Sequence, residues 1–210
     1  MKNIVSKFFL VLIIIVFSSC DTRYNIIDTG TANGKHDKTM WEYLLTDKYN
    51  WELTVEMIQK SGLESLFRGK QQGYEKITFF GPTSHSIRRY LYQNGMESVS
   101  ELDNDFCKKI ILNSVIKGVY RREDIPFGKP STNTQVSQGT GGKVFTGANN
   151  NQFWIYSFRE PYNGVPETGP VVLNIVSLKT NKSIDVASTN IETNTGVVHS
   201  LHYNFTISEL

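Results

Sequence analysis

Apolar residues fall along this chain at three different spacings. Phe8 to Phe17, "FFLVLIIIVF", is an unbroken run. From Thr39 to about Tyr120 apolar positions recur every three or four residues, the period of helices with one buried face. "TMWEYLLTD" offers Thr39 as a cap, with Trp41, Leu44 and Leu45 behind it. "NWELTVEMIQKSG" repeats the pattern, with Asn50 as cap, Leu53, Met57 and Ile58 on one face, and Gly62 to end it. "LESLF" adds one more apolar turn. "KITFFGPTSHSIRRYLYQNG" predicts a strand over Ile77–Phe80, stopped by Pro82, then a helix capped by Thr83. In that helix Ile87, Tyr90 and Leu91 face inward, Arg88 and Arg89 face outward, and Gly95 provides the left-handed stop. A further helix starts near Asp103 with Phe106 and Ile110 inward.

After residue 125 the spacing changes. Gly128 to Gln152 is dense in Gly, Asn, Thr and Gln, with Val136, Val144 and Phe145 recurring, which predicts short strands between long turns. "FWIYSF", "PVVLNIVSL" and "SIDVAS" follow as strands. Helices first and strands after predict an α+β fold with a mostly antiparallel sheet.

The last strand is "GVVHSLHYNF". Alternation puts Val197, His199, Leu201, Tyr203, Phe205 and Ile207 on one face. Val198, Ser200, His202, Asn204 and Thr206 fall on the other, so His199 and His202 cannot share a metal ion. His199 is expected as a core histidine with a hydrogen-bonding partner, and His202 as a partly exposed polar residue.

The first apolar run is too short to cross a bilayer as a helix, which takes roughly 20 residues. Lys2 and Lys7 precede it and Ser18, Ser19 and Cys20 follow, the order of a secretory signal. With Cys20 at its end the segment resembles a bacterial lipoprotein signal. Residues 1–19 would then be removed and the Cys20 thiol would carry lipid. Residues 20–38 read as a polar tether and 39–210 as one domain, with His36 in the tether solvated.

Formal net charge is +2 over 210 residues. Without Lys2 and Lys7 the chain carries 20 basic and 20 acidic side chains, so nothing in the charge points to nucleic acid. The only other cysteine, Cys107, is expected as a buried small hydrophobe. No zinc spacing, G-x-S-x-G, H-E-x-x-H or Walker loop occurs, and "GTGGK" has Val144 where a Walker loop needs Ser or Thr. Glu123 and Asp124 in an Arg-rich loop read as solvated charge. Neither an enzyme nor a cofactor is expected.

Two stretches together resemble the fasciclin domain. "TFFGPTSHSI" keeps Thr78, Phe80, Pro82 and Thr83 of its first signature. "NIETNTGVVHSLH" keeps Ile191, Gly196, Val197 and His199 of its second. Asn190 replaces the usual Asp, and Thr195 stands where Asn usually precedes Gly. The Tyr-His pair tied to integrin adhesion in animal members is replaced by Asn113 and Ser114, so that partner is not carried over. The resemblance implies a β-wedge or sandwich of mostly antiparallel strands with several packed helices and no catalytic site. It also implies a surface or envelope module for adhesion or macromolecule binding. The expected protein is thus an outer-membrane lipoprotein, facing either the periplasm or the outside, with an unidentified protein or glycan partner. The alternative is a glycan-binding accessory lipoprotein of an outer-membrane polysaccharide uptake system. Its candidate contacts are Trp154, Tyr156 and Tyr162, with Tyr162 the most exposed because "EPYNGVPETGP" is rich in turn formers. Against this, "FWIYSF" is apolar on both faces and also fits a core strand.

Overall fold

The computed structural model describes residues 34–133, 136 and 138–210. The apolar leader, Cys20 and most of the expected tether lie outside the described residues. Among those described, no helix is long and apolar enough to cross a membrane.

Among the described residues, five α-helices lie between Met40 and Asn113. They are α1 (Met40–Thr46), α2 (Lys48–Lys60), α3 (Glu64–Phe67), α4 (Ser84–Gln93) and α5 (Asn104–Asn113). Thr39 and Glu42 close α1 with a reciprocal capping box. α2 starts one turn earlier than the sequence suggests: Asp47 is its cap and accepts from the Asn50 amide, so Asn50 lies inside the helix. At its end the Gly62 N–H bonds to Gln59 and the Leu63 N–H to Ile58, with Gly62 at φ 68°. Those two bonds form a Schellman stop. Gly95 ends α4 in the same way, with φ 67° and bonds from Gly95 to Tyr92 and from Met96 to Leu91. Asp103 caps α5 through the amides of Asp105 and Phe106. Leu45 is exposed on α1, because the buried stripe of that short helix runs through Met40, Trp41, Tyr43 and Leu44.

The strands are β1 (Ile77–Gly81), β2 (Val115–Lys117), β3 (Gly128–Lys129), β4 (Thr140–Gly141), β5 (Lys143–Thr146), β6 (Gln152–Arg159), β7 (Val171–Ser177), β8 (Lys182–Thr193) and β9 (Gly196–Leu201). Seven of them form one sheet in the order β2-β1-β9-β8-β7-β6-β5, and β3 pairs with β4 alone. All pairs are antiparallel except β1 with β9, which run parallel. The two edges nearly meet: Ile116 of β2 bridges Gly147 just after β5, and the Ala148 amide donates to Val115 at 2.8 Å. The fold is α+β with a nearly closed, mostly antiparallel sheet, as the element order predicts.

One continuous core fills the sheet's interior and extends to the helices. Phe153, Ile155, Leu173 and Ile175 of the β6–β7 hairpin join Trp51, Met57, Ile58 and Phe67 of the helices in it. Cys107 belongs to this core, and burial raises its thiol above the usual range.

Two expectations fail at the margins of this sheet. The final strand stops at Leu201, so the alternation drawn through Ile207 does not continue: Tyr203 is exposed, while Phe205 and Ile207 reach the core from a turn and a 3₁₀ segment. The Gly128–Gln152 stretch does form the short strands β3, β4 and β5, with Phe145 buried and Val136 and Val144 exposed. Residues 34–38 run along β8, with the His36 amide donating to Glu192 and the Asn194 amide to Lys38. The folded part therefore reaches back to Gly34. His36 packs its ring 4.6 Å from Tyr43 rather than standing in solvent.

Candidate functional site

The two signature stretches are neighbours in the sheet, one strand in from the β2 edge. Thr78 pairs with Val197 and Phe80 with His199 in the parallel β1–β9 register. A Cβ on Gly196 would lie 1.8 Å from the Ile77 carbonyl oxygen, so only glycine lets the two backbones meet there. The Thr78 hydroxyl donates to Gly118 and accepts from the Tyr120 amide, and the Pro82 carbonyl accepts from Thr54. Thr83 occupies the cap position of α4, but its buried hydroxyl makes no capping bond. Ile191 is half-buried against the core, and Val197 is fully buried.

His199 is 0% exposed and stacks on Phe80 at 4.9 Å. The Asn190 amide donates to its Nδ1 at 3.4 Å, which places the proton on Nε2, and Nε2 donates to the Tyr120 carbonyl at 2.9 Å. Burial holds the imidazole down at about 4, against the opposing pull of the Tyr120 bond and Glu123. The ring is neutral and both nitrogens are occupied, so it serves the packing.

Its neighbours account for the two departures from the second signature. Asn190 is left-handed at φ 60°, a conformation that asparagine tolerates well. Its side-chain amide donates to both Glu123 oxygens, at 3.1 and 2.8 Å, where an Asp would set two carboxylates face to face. Slight desolvation pushes the Glu123 carboxyl up, but its own backbone N–H, then Asn190 and Arg122, hold it below the ordinary range. Thr195 accepts from the Met40 amide and donates to Phe67, joining α1 and α3 to β9. Asn113 and Ser114 are internal: Asn113 bonds the Leu210 carbonyl and Asn149, and Ser114 bonds Ile110.

The open chemistry lies on the other side of the sheet. Trp154, Tyr156 and Phe158 point outward from β6, opposite Val176, Asn174 and Val172 of β7. The β3–β4 ribbon lies over them. Its glycines make that possible: a Cβ on Gly142 would meet Trp154 Nε1 at 2.5 Å, and one on Gly128 would meet Tyr156 Cβ at 2.7 Å. "GTGGK" thus serves close packing of backbone on rings. Trp154 Nε1 donates to Gly141 at 2.9 Å and pins the ribbon down. This second cover explains why β6 is apolar on both faces.

Beside the ribbon opens a cleft of about 1010 Å³. Tyr156 and Phe158 line it, with Phe127 on the ribbon side and Asn174, Ser183 and Asp185 along β7 and β8. Ser183 Oγ donates to Asn174 Oδ1 at 2.7 Å, and Asn174 Nδ2 donates to Asp185 Oδ1 at 2.8 Å. Burial, then the charge of Asp185, raises the Tyr156 phenol above its ordinary range, so it remains a hydrogen-bond donor. Lys129 and Glu167 sit at the mouth as an exposed pair 3.9 Å apart, and Arg159 donates to the Gly169 carbonyl.

The three aromatic candidates do not form one platform. Trp154, 1% exposed, and Tyr156, 4% exposed, are buried together, as their shared strand face requires, and stack on each other at 4.3 Å, so of the three only Tyr162 faces solvent. Tyr156 still reaches the cleft from its floor. Tyr162, 62% exposed, stands outside the cleft lining on a tight Asn163–Gly164 turn with both φ values positive. Phe127, Asn174, Ser183 and Asp185 were missed. Their convergence depends on strand register, which spacing within a single strand does not disclose.

No family model and no curated protein sequence matches this chain. Among solved structures it is similar to a fasciclin (FAS1) domain pair from the insect cell adhesion molecule fasciclin I, at TM-score 0.52 and 16% identity. The match covers 78% of this chain and 49% of that one, so the chain spans about half the length of the structure it resembles. The fold is fasciclin-like.

Proposed function

We propose that this protein is a non-catalytic binding module: one fasciclin-like domain, lipid-anchored through Cys20 to the bacterial outer membrane, acting in adhesion or macromolecule binding. The observation that carries the binding role is the cleft over β6–β8. Its residues combine aromatic side chains with a short polar row, the make-up of a recognition site. Among the described residues no group of His, Cys, Asp and Glu is placed to hold a metal ion. The adhesion role follows the fold's likeness to a domain pair from a cell adhesion molecule. The anchor follows the order of Lys, apolar run, Ser18, Ser19 and Cys20.

Cells carrying the chain are tested for attachment to surfaces coated with fibronectin, collagen or mixed polysaccharide, beside cells carrying Cys20→Ser. The wild type is expected to raise attachment several-fold on at least one coating, and Cys20→Ser to abolish the gain. Fractionation should find the wild type in the outer membrane, held by acyl chains that contribute about 0.8 kcal/mol per buried CH₂. Equal attachment with and without the protein overturns the binding reading. A processed Cys20→Ser chain that stays in the membrane overturns the anchor.

A further inference from the structure

The cleft's unused hydrogen-bonding capacity identifies a class of ligand. Asn174 is almost fully buried and fixed from two sides, by Ser183 and Asp185. Those bonds use its carbonyl oxygen and one of its two amide hydrogens. The second hydrogen, the Asp185 Oδ2 atom and the Tyr156 hydroxyl have no partner among the described residues. Fixed donors and a fixed acceptor therefore stand side by side. A sugar hydroxyl both donates and accepts, and two vicinal hydroxyls present the complementary set.

The rings supply the second part. Phe127, 62% exposed, and the half-buried Phe158 flank this polar row, offering apolar surface to the C–H face of a pyranose. Charge supplies the third. Arg159 donates to the neutral Gly169 carbonyl and keeps its charge, Lys129 pairs with Glu167, and Asp185 offsets Arg159, so the charged side chains lining the cleft balance. A lining without net charge gives no electrostatic gain to uronic, sulfated or phosphorylated chains, so a neutral chain fits it. A concave site of about 1010 Å³ is the size of a ligand pocket, while protein partners bury about 800 Å² of broad surface on each side.

We propose, resting on the binding reading above, that the cleft is a subsite for a neutral oligosaccharide. Asp185 and Asn174 take a vicinal diol, Tyr156 Oη adds a third bond, and Phe127 with Phe158 packs against the ring. Recognition here is reversible binding, with no covalent step.

The test uses the full chain in detergent and calorimetric titration with cellohexaose, maltohexaose, mannohexaose and xylohexaose, with hexagalacturonate as the acidic comparison. At least one neutral hexaose is expected to bind, and to bind more tightly than hexagalacturonate. Asp185→Asn should weaken that binding about tenfold or more, since a bond to a charged group is lost. Phe127→Ala and Tyr156→Phe should each weaken it several-fold, and Tyr162→Ala should leave it unchanged. All four variants should melt close to the wild type, which separates lost contact from lost fold. Absence of binding by every neutral hexaose, tighter binding of hexagalacturonate, or insensitivity to Asp185→Asn and Phe127→Ala each overturns the proposal. Attachment to a protein coating that persists when no hexaose binds would leave the binding module standing and remove only the saccharide subsite.

Discussion

The seam between β1 and β9 and the cleft over β6–β8 both contain polar side chains against apolar surroundings, yet they use them in opposite ways. At the seam the polar groups are spent on each other. His199 has a partner on each nitrogen, Thr78 both donates and accepts, and Asn190 donates to both oxygens of Glu123. A polar group buried in this way stabilises the fold only while its partner is present. In the cleft, Asn174 is held as firmly, but one of its amide hydrogens and the Asp185 Oδ2 atom have no partner among the described residues. A saturated network fixes a register. A partly satisfied one, held from behind, is what the proposed saccharide subsite would use. The difference separates the signature residues, which build the fold, from the residues able to act on something else.

The contrast breaks most severely at Gly196. Gly196→Ala places a methyl 1.8 Å from the Ile77 carbonyl, so the parallel pair cannot form. A loss of about 4 kcal/mol or more is expected, seen as failure to accumulate folded protein or as a collapsed urea midpoint. Wild-type stability in that variant would mean that β1 and β9 are not held in this register.

Acid strains the same seam next. Burial lowers the His199 imidazole from 6.5 to about 4. Below about pH 6.5 the unfolded chain takes up a proton that the folded chain refuses. Stability is therefore full above that pH and falls as pH drops toward 4, by an amount on the order of 3 kcal/mol. Below about 4 the folded state binds the proton too and this loss levels off. Urea melts from pH 7 to 4 should show the fall in the wild type, and His199→Ala should flatten it. An identical slope in both chains counts against a neutral buried ring.

At neutral pH, His199→Ala should itself lower stability by about 1–3 kcal/mol, through a cavity and two orphaned backbone groups. His202→Ala should stay within about 0.5 kcal/mol, since that ring is only half-buried beside the exposed Tyr203. Equal losses from the two would undo the distinction between them.

A local effect belongs to the outer face. Trp154→Phe keeps a ring under the ribbon but removes the bond to Gly141. About 1 kcal/mol should be lost. Limited proteolysis between Lys129 and Lys143 should quicken while the rest of the domain stays intact. Unchanged cleavage would mean that packing by the ring alone holds the ribbon.

Much of the frame was legible in the sequence because it depends on local rules. Thr39 and Asp103 cap helices, Gly62 and Gly95 stop them, and Pro82 limits β1 to Gly81, each through bonds within a few residues of chain. The two-residue alternation from Val197 to Leu201 also needs only the pleat of one strand. It misled beyond Leu201, where Phe205 and Ile207 keep the same parity but reach the core through a turn. Periodicity records which residues are buried, and a turn can bury alternate residues as a strand does.

The sequence alone determined the order of helices and strands, the caps at Thr39 and Asp103, the stops at Gly62 and Gly95, and the burial of His199. Tertiary structure alone decided which strands became neighbours. That pairing sets the parallel β1–β9 seam, covers Trp154 with a glycine ribbon and brings Asn174 beside Asp185 from the next strand. The physical reason is range. Caps, stops and periodicity act over three or four residues, whereas a site built across strands depends on register. Register is fixed only when the whole sheet closes around its core.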